Sequence, residues 1–98
     1  MAAVISENKP EIQHLYSIDQ FEEWIFLERR NLDEYLFLID YEIIGSNKTG
    51  LDLIEMYDIQ QQSILVTSHY EEPEIQKRCE ILNLFLLPKA MSIYIPLI

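Results

Sequence analysis

The sequence predicts an α/β fold, in which a mostly parallel sheet is flanked by helices. Three apolar runs, at residues 36–39, 64–66 and 84–88, have the unbroken hydrophobicity of strands that are buried on both faces. Segments with helix caps and helical periodicity lie between these runs. Each run is followed by a polar residue of a different chemical kind, namely Asp40, Thr67 and Lys89. Strands and helices therefore alternate along the chain, as they do in parallel sheets.

The first half of the chain contains a strand and a well-marked helix before the first of these runs. Residues 12–16 have the apolar content of a short strand. Ser17 and Gln20 have the spacing of a capping box, which predicts a helix that continues to about Arg30. Phe21 lies on the apolar face of this helix. The chain then enters the strand that ends at Asp40.

The second half repeats the alternation twice. Residues 45–50 contain both glycines of the chain and predict a loop, after which residues 51–57 predict a short helix. Ser68 and Glu71 repeat the capping-box spacing and predict a third helix that extends to about Leu82. The predicted element order is therefore β-α-β-α-β-α-β, followed by a tail.

Composition limits the class of protein. The 98 residues are enough for one domain, which we place at residues 1–98, and 17 acidic against 7 basic residues give a net charge of −10. Such a surface repels nucleic-acid backbones, so direct nucleic-acid binding is not expected. Cys79 is the single cysteine, which predicts a reducing, cytoplasmic location, and no apolar stretch is long enough to enter a membrane as a helix. The apolar tail, residues 91–98, is predicted to be extended and non-helical.

The polar residues at the strand ends form a candidate site. In parallel sheets ligands bind just beyond the carboxyl ends of the strands, and the spacing of Asp40, Thr67 and Lys89 corresponds to one and two strand–loop–helix units. An aspartate can attack phosphorus as a nucleophile, a lysine can neutralise the transferred group, and a hydroxyl can donate to its oxygen. These residue types together point to phosphoryl chemistry.

The motifs resemble those of the receiver domains of two-component signalling, over residues 12–90. The matching pieces are Leu38-Ile39-Asp40, Gly50-Leu51, Val66-Thr67-Ser68 and Leu87-Pro88-Lys89. The resemblance implies a flavodoxin-like, receiver-like sheet. It also implies that Asp40 accepts a phosphoryl group from a histidine kinase or a phosphotransfer domain, while Thr67 and Lys89 sense and neutralise that group.

The chain departs from the receiver pattern at its amino-terminal end. Too few residues precede Asp40 for two complete strand–helix units, so the first strand and helix are missing, and with them the acid pair that binds Mg²⁺. Ala2–Ser6 cannot replace that strand, because residues 7–11 are too few for a parallel crossover. The segment would pair antiparallel and place Glu7 at the opposite edge from Asp40. Asp40 and the Glu42 backbone carbonyl then remain as metal ligands, so we expect Mg²⁺ binding to be weak at best and no other cofactor.

These departures predict a degenerate receiver, or pseudo-receiver, without enzymatic activity of its own. Such modules occur in hybrid histidine kinases, including membrane-bound sensor kinases, and act by protein–protein contact or as homodimers. The strand that is missing leaves backbone groups that something must cover. Candidates are residues 91–98, Ala2–Ser6, or the same segment of a second chain.

Two other interpretations stay open. In the first, the chain is a working response-regulator receiver, phosphorylated on Asp40. In the second, it is a small α/β domain with no role in signalling, in which Thr67 caps a helix, Lys89 forms an ion pair with Asp40, and His69 is exposed to solvent.

Overall fold

The structure is a computed structural model that describes residues 1–8 and 11–94, with the backbone alone for residues 92–94. The strands are β1 (Ala2–Ser6), β2 (Ile12–Leu15), β3 (Tyr35–Asp40), β4 (Ser63–Thr67) and β5 (Phe85–Pro88). The helices are α1 (Ile18–Leu27), α2 (Gly50–Met56) and α3 (Pro73–Leu82), with 3₁₀ turns at Leu32–Glu34, Gln60–Gln62 and Lys89–Tyr94. The four predicted strands and three predicted helices are confirmed. None of the described helices is long and apolar enough to cross a membrane.

The five strands form one mixed sheet in the order β2-β1-β3-β4-β5. β3, β4 and β5 are parallel, whereas β1 lies between β2 and β3 and is antiparallel to both. The prediction that Ala2–Ser6 pairs antiparallel is confirmed, because the connection to β2 is too short to cross over. Of the three candidates for covering the missing strand, Ala2–Ser6 is the one that the structure places there.

All three α-helices of the described chain pack on one face of the sheet. The ring centroid of Phe37 on β3 lies 6.4 Å from that of Phe21 and 5.7 Å from that of Trp24, both on α1. Gly50, at the start of α2, lies so close to Ile39 of the same face that a Cβ atom added to it would be 2.8 Å from Ile39 Cγ2. α3 adds its buried residues to the same core cluster. The sheet was predicted to lie between helices, and that part of the prediction is wrong for the described residues.

The opposite side, which we call the second face, follows from the strand register. Its residues are Ala3, Ile5, Ile12, His14, Leu36, Leu38, Asp40, Ile64, Val66, Phe85 and Leu87. Nine of these eleven are apolar, which explains why the strands have continuous hydrophobic runs.

The boundaries of two helices differ from the prediction. α1 ends at Leu27, and the chain turns through a hydrogen bond from the Asn31 N–H to the Glu28 carbonyl (2.8 Å). α3 begins at Pro73, because the Ser68 hydroxyl donates to Glu42 (3.0 Å) instead of capping a helix. The predicted extended tail is a 3₁₀ helix as far as it is described, and residues 95–98 lie outside the described residues.

Candidate functional site

The carboxyl ends of four strands meet at one edge of the sheet, because β2, β3, β4 and β5 all run in the same direction. β1 runs the other way and places its amino end, Met1, at that edge. A cavity of about 500 Å³ lies there, between the strand ends and the start of α1. Its polar lining residues include Ser17, Asp19, Asp40, Glu42, Ser46 and Lys89.

Asp40 is held in place through its backbone. Its N–H donates to the Met1 carbonyl at 2.9 Å, and its side chain retains about 32% of its full exposure. One carboxylate oxygen, Oδ2, lies 3.7 Å from the Met1 amino group. The next residue, Tyr41, donates its N–H to the Val66 carbonyl at 2.8 Å and accepts from the Gly50 N–H at 2.8 Å. Asp40 therefore stands at a rigid strand end with its carboxylate directed to solvent and to a cationic group.

The structure brings two of the three predicted residues together. Lys89 lines the same cavity as Asp40. Thr67 does not line it and is only 1% exposed. The register pairs Asp40 with Val66, so Thr67 lies one residue further on and belongs to the helix-covered face. Its hydroxyl accepts the His69 N–H at 2.9 Å, as in a serine/threonine turn.

The residues at this edge do not fit a Mg²⁺ ion. Within the described residues, no group of three or more His, Cys, Asp or Glu side chains is arranged to hold a metal. β1 carries Glu7 to the opposite edge, where its N–H donates to the Glu34 carbonyl at 3.0 Å. A hard divalent ion requires several converging oxygens, and Asp40 has no carboxylate partner on the neighbouring strand.

His69 makes a cluster that sequence reasoning missed. Its Nε2 lies 2.7 Å from Glu42 Oε1, and its Nδ1 lies 3.4 Å from Glu72 Oε1. The cluster joins the loop after β3 to the residue that precedes α3. No sequence signal relates these residues, because Glu42 and His69 are brought together only by the parallel pairing of β3 and β4.

Asp19 is a second residue that the sequence did not single out. It lies in the first turn of α1 and lines the cavity with Asp40. Its one sequence signal is its place two residues after the Ser17 cap, where acidic side chains suit the helix dipole. The cavity is therefore acidic on two sides, with Lys89 as its cationic side chain among the lining residues.

Searches against protein-family models, curated proteins and solved structures return no match for this chain. The arrangement of its own residues is therefore what indicates a function. That arrangement offers a solvent-accessible carboxylate and an amine at one open edge, with no converging set of metal ligands among the described residues.

Proposed function

We propose that the chain is a receiver-like module of a two-component phosphorelay that acts by protein–protein contact and not by phosphoryl transfer. Its partner class is a histidine kinase or a phosphotransfer domain. The strand order β2-β1-β3-β4-β5 supports this proposal, since it is the order of flavodoxin-like sheets, here with β1 reversed.

One observation carries the choice of contact over catalysis. The reversed β1 brings its amino end to Asp40, and among the described residues no pair of acids converges with Asp40 to hold a metal ion. Phosphoryl transfer depends on cations that offset the charge of the moving group, and Mg²⁺ normally supplies most of that charge. Thr67 is turned to the helix-covered face. Within the described residues, the metal-binding acids and the phosphate-sensing hydroxyl that the receiver resemblance implies therefore have no counterpart at this edge.

The charge of the chain indicates the chemistry of the partner. A net charge of −10 on 98 residues favours a partner with a basic contact surface and gives an association rate that falls as salt increases. Two copies of the chain would repel each other through the same charge. A complex with a different protein is therefore favoured over a homodimer.

A working phosphoacceptor is the second candidate. The observation in its favour is that Asp40 and Lys89 line one solvent-open cavity, and Asp40 is accessible enough to attack a small phosphoryl donor. A low affinity for Mg²⁺ would then make the reaction slow but not impossible.

Incubation with acetyl phosphate and Mg²⁺, followed by intact mass measurement, separates the two candidates. We expect no mass increase in the wild-type chain. The matched variants are Asp40→Asn and Asp19→Asn, since both residues line the cavity. A gain of one phosphoryl group that persists in Asp19→Asn and is lost in Asp40→Asn would establish the phosphoacceptor instead.

Binding measurements test the contact role directly. Titration of the chain against a panel of histidine-kinase dimerisation domains and phosphotransfer domains is expected to reveal a complex that Asp40→Asn leaves unchanged and that salt weakens. A complex that forms only with acetyl phosphate and Mg²⁺ present, or no complex with any member of the panel, would contradict the proposal.

A further inference from the structure

The strand β1 is hydrogen-bonded to its two neighbours through alternate residues. The Asp40 N–H donates to the Met1 carbonyl at 2.9 Å, so the backbone groups of Met1 and of every second residue after it face β3. The backbone groups of the residues in between, Ala2 and Val4, therefore face β2. This alternation fixes which backbone groups of β2 point away from the sheet.

The outer edge of β2 carries unpaired backbone groups. Leu15 and Gln13 are the partners of Ala2 and Val4, so their backbone groups are used in the pairing with β1. The N–H and C=O groups of the alternating residues, Ile12 and His14, point outwards, and no described residue pairs with them. β2 is therefore an open edge on which a further strand can form.

The edge on the other side of the sheet is less suited to the addition of a strand. β5 ends at Pro88, which has no N–H, and proline is one of the residues that protect edge strands. The 3₁₀ helix Lys89–Tyr94 follows at once and contacts β5. β2 contains neither proline nor lysine. Of the two edges, β2 is therefore the one without these protective features.

A groove runs beside this edge, on the side of the sheet that α1 covers. Two cavities of about 510 Å³ and about 350 Å³ adjoin there, since Gln13 and Trp24 line both, and we call them together the edge groove. The Trp24 Nε1–H donates to Gln13 Oε1 at 3.1 Å and so joins α1 to β2. Tyr16 and Leu27 also line the groove and are 76% and 69% exposed. The edge groove therefore offers apolar surface to the side chains of an added strand.

The charges along the edge groove have one sign. Its carboxylates are those of Glu11, Glu23, Glu28 and Glu34. None of the described residues that line it is lysine or arginine, and His14 is the one among them that can gain a positive charge. Every second side chain of a strand lies on the same face. Basic residues at alternate positions of an added strand therefore face these carboxylates.

We propose that an extended, basic segment of a partner protein binds along the outer edge of β2 and adds a strand to the sheet. Its backbone pairs with Ile12 and His14, and its lysine or arginine side chains lie in the edge groove. A second copy of this chain is a poorer occupant, because its own edge groove is acidic. The proposal locates the contact surface of the proposed function and rests on that function only for the class of partner.

Three synthetic peptides of equal charge separate strand pairing from simple charge attraction. The first alternates lysine and valine over eight residues, the second carries N-methyl groups on the valine nitrogens, and the third carries them on the lysine nitrogens. Successive N–H groups of a strand point to opposite sides, so one methylated peptide loses the groups that pair with β2 and the other keeps them. We expect the first to bind about tenfold more weakly than the parent peptide and the second to bind equally well. Equal affinity of all three peptides, or no binding of the parent, would overturn the proposal.

Amide NMR of the full chain shows where the parent peptide binds. The amide signals of Ile12 and His14 should shift and become protected from hydrogen exchange, whereas those of β5 should not change. Shifts confined to β5 would place the added strand on the wrong edge and contradict the proposal. Protection of Ile12 and His14 without peptide, together with a dimer mass in light scattering, would assign the edge to a second copy and would also overturn it.

Two double variants test the role of the groove carboxylates at equal net charge. Glu11→Gln with Glu23→Gln removes two exposed charges from the edge groove, and the affinity for the parent peptide should fall several-fold. Glu74→Gln with Glu80→Gln is the matched control, since both residues are exposed on α3, and the affinity should change little. Equal losses in the two variants would show that net charge alone attracts the peptide and would count against the proposal.

The peptide experiments are separate from the test of the proposed function. A failure of the peptides overturns the assignment of this edge, whatever the panel of kinase and phosphotransfer domains shows. A failure of that panel contradicts the receiver-like function, while peptide binding at β2 would still establish the edge groove as a binding surface.

Discussion

At the scale of single residues, Gly50 sets how closely α2 approaches the candidate site. A Cβ atom at this position would lie 2.0 Å from the Asp40 carbonyl oxygen and 2.8 Å from Ile39 Cγ2. Backbone and a buried side chain cannot both yield to such an overlap. Gly45 differs, since it adopts a left-handed φ of +81°, but a Cβ atom there would have no atom of the other described residues within 4 Å apart from its chain neighbours. One glycine is thus required by close packing and the other by backbone conformation.

These two glycines provide a matched prediction. Gly50→Ala should lower the free energy of unfolding by about 3 kcal/mol, at the upper end for overpacked sites, and should displace α2 from β3. Gly45→Ala should cost only about 1 kcal/mol, because its cost is conformational. Urea denaturation of both variants measures the difference. A cost for Gly45→Ala that equals or exceeds that of Gly50→Ala would contradict the close approach.

At the scale of elements, α2 is fastened at its first turn by a reciprocal cap. The Thr49 hydroxyl accepts the Asp52 N–H at 3.2 Å, and Asp52 Oδ2 accepts the Thr49 N–H at 2.8 Å. The other carboxylate oxygen accepts from Arg78 on α3 at 3.2 Å. Burial raises the pKa of Asp52, but the hydrogen bonds from Thr49 and Arg78 outweigh it and leave the pKa below its usual value.

Asp52 therefore makes the stability of the chain depend on pH. Because its pKa is lower in the folded state, its contribution is present above the unfolded pKa of about 4 and is lost as pH falls through the lower folded value. Asp52→Asn should cost about 1 kcal/mol at pH 7, a typical value for a cap, and the cost should shrink towards pH 3. Denaturant unfolding at several pH values measures this.

Glu55→Gln is the control for that series. Glu55 also contacts Arg78, at 3.2 Å, but takes no part in the cap, and the pair is exposed to solvent. Its removal should change stability by only a few tenths of a kcal/mol, since exposed ion pairs are screened. A cost as large as that of Asp52→Asn would show that the ion pair, and not the cap, stabilises α2.

At the scale of the whole molecule, the reversed β1 is an interior strand of the sheet. It pairs with β2 on one side and with β3 on the other, and its residues Ala3 and Val4 are buried on opposite faces. The parallel strands β4 and β5 extend the sheet away from it. The fold of the described chain therefore depends on a segment of five residues that precedes every helix.

Hydrogen exchange tests this interior position of β1. The amides of β1, β3 and β4 should exchange most slowly, because these strands are paired on two sides, whereas those of β2 and β5 should exchange faster as edge strands. Native-state exchange followed by NMR measures the order. Protection of β5 equal to that of β1 would show that a further strand pairs with its outer edge.

The sequence predicted those features of this molecule that depend on local interactions. The apolar runs located β3, β4 and β5, and the Ser17 cap located the start of α1, where its hydroxyl accepts the Gln20 N–H at 3.2 Å. The length of the connection after Ala2–Ser6 was enough to predict its antiparallel pairing. Periodicity, caps and connection length are properties of neighbouring residues, so a single sequence contains them.

Only the tertiary structure decided which faces and edges these elements share. That all three helices lie on one face, that Thr67 is turned away from Asp40 and Lys89, and that Glu42 meets His69 are consequences of strand register and of the reversed β1. A shift of one residue in register moves a side chain to the other face of the sheet. A strand that is apolar on both faces has the same hydrophobic pattern in either register. The sequence alone therefore contains no information that distinguishes the two registers.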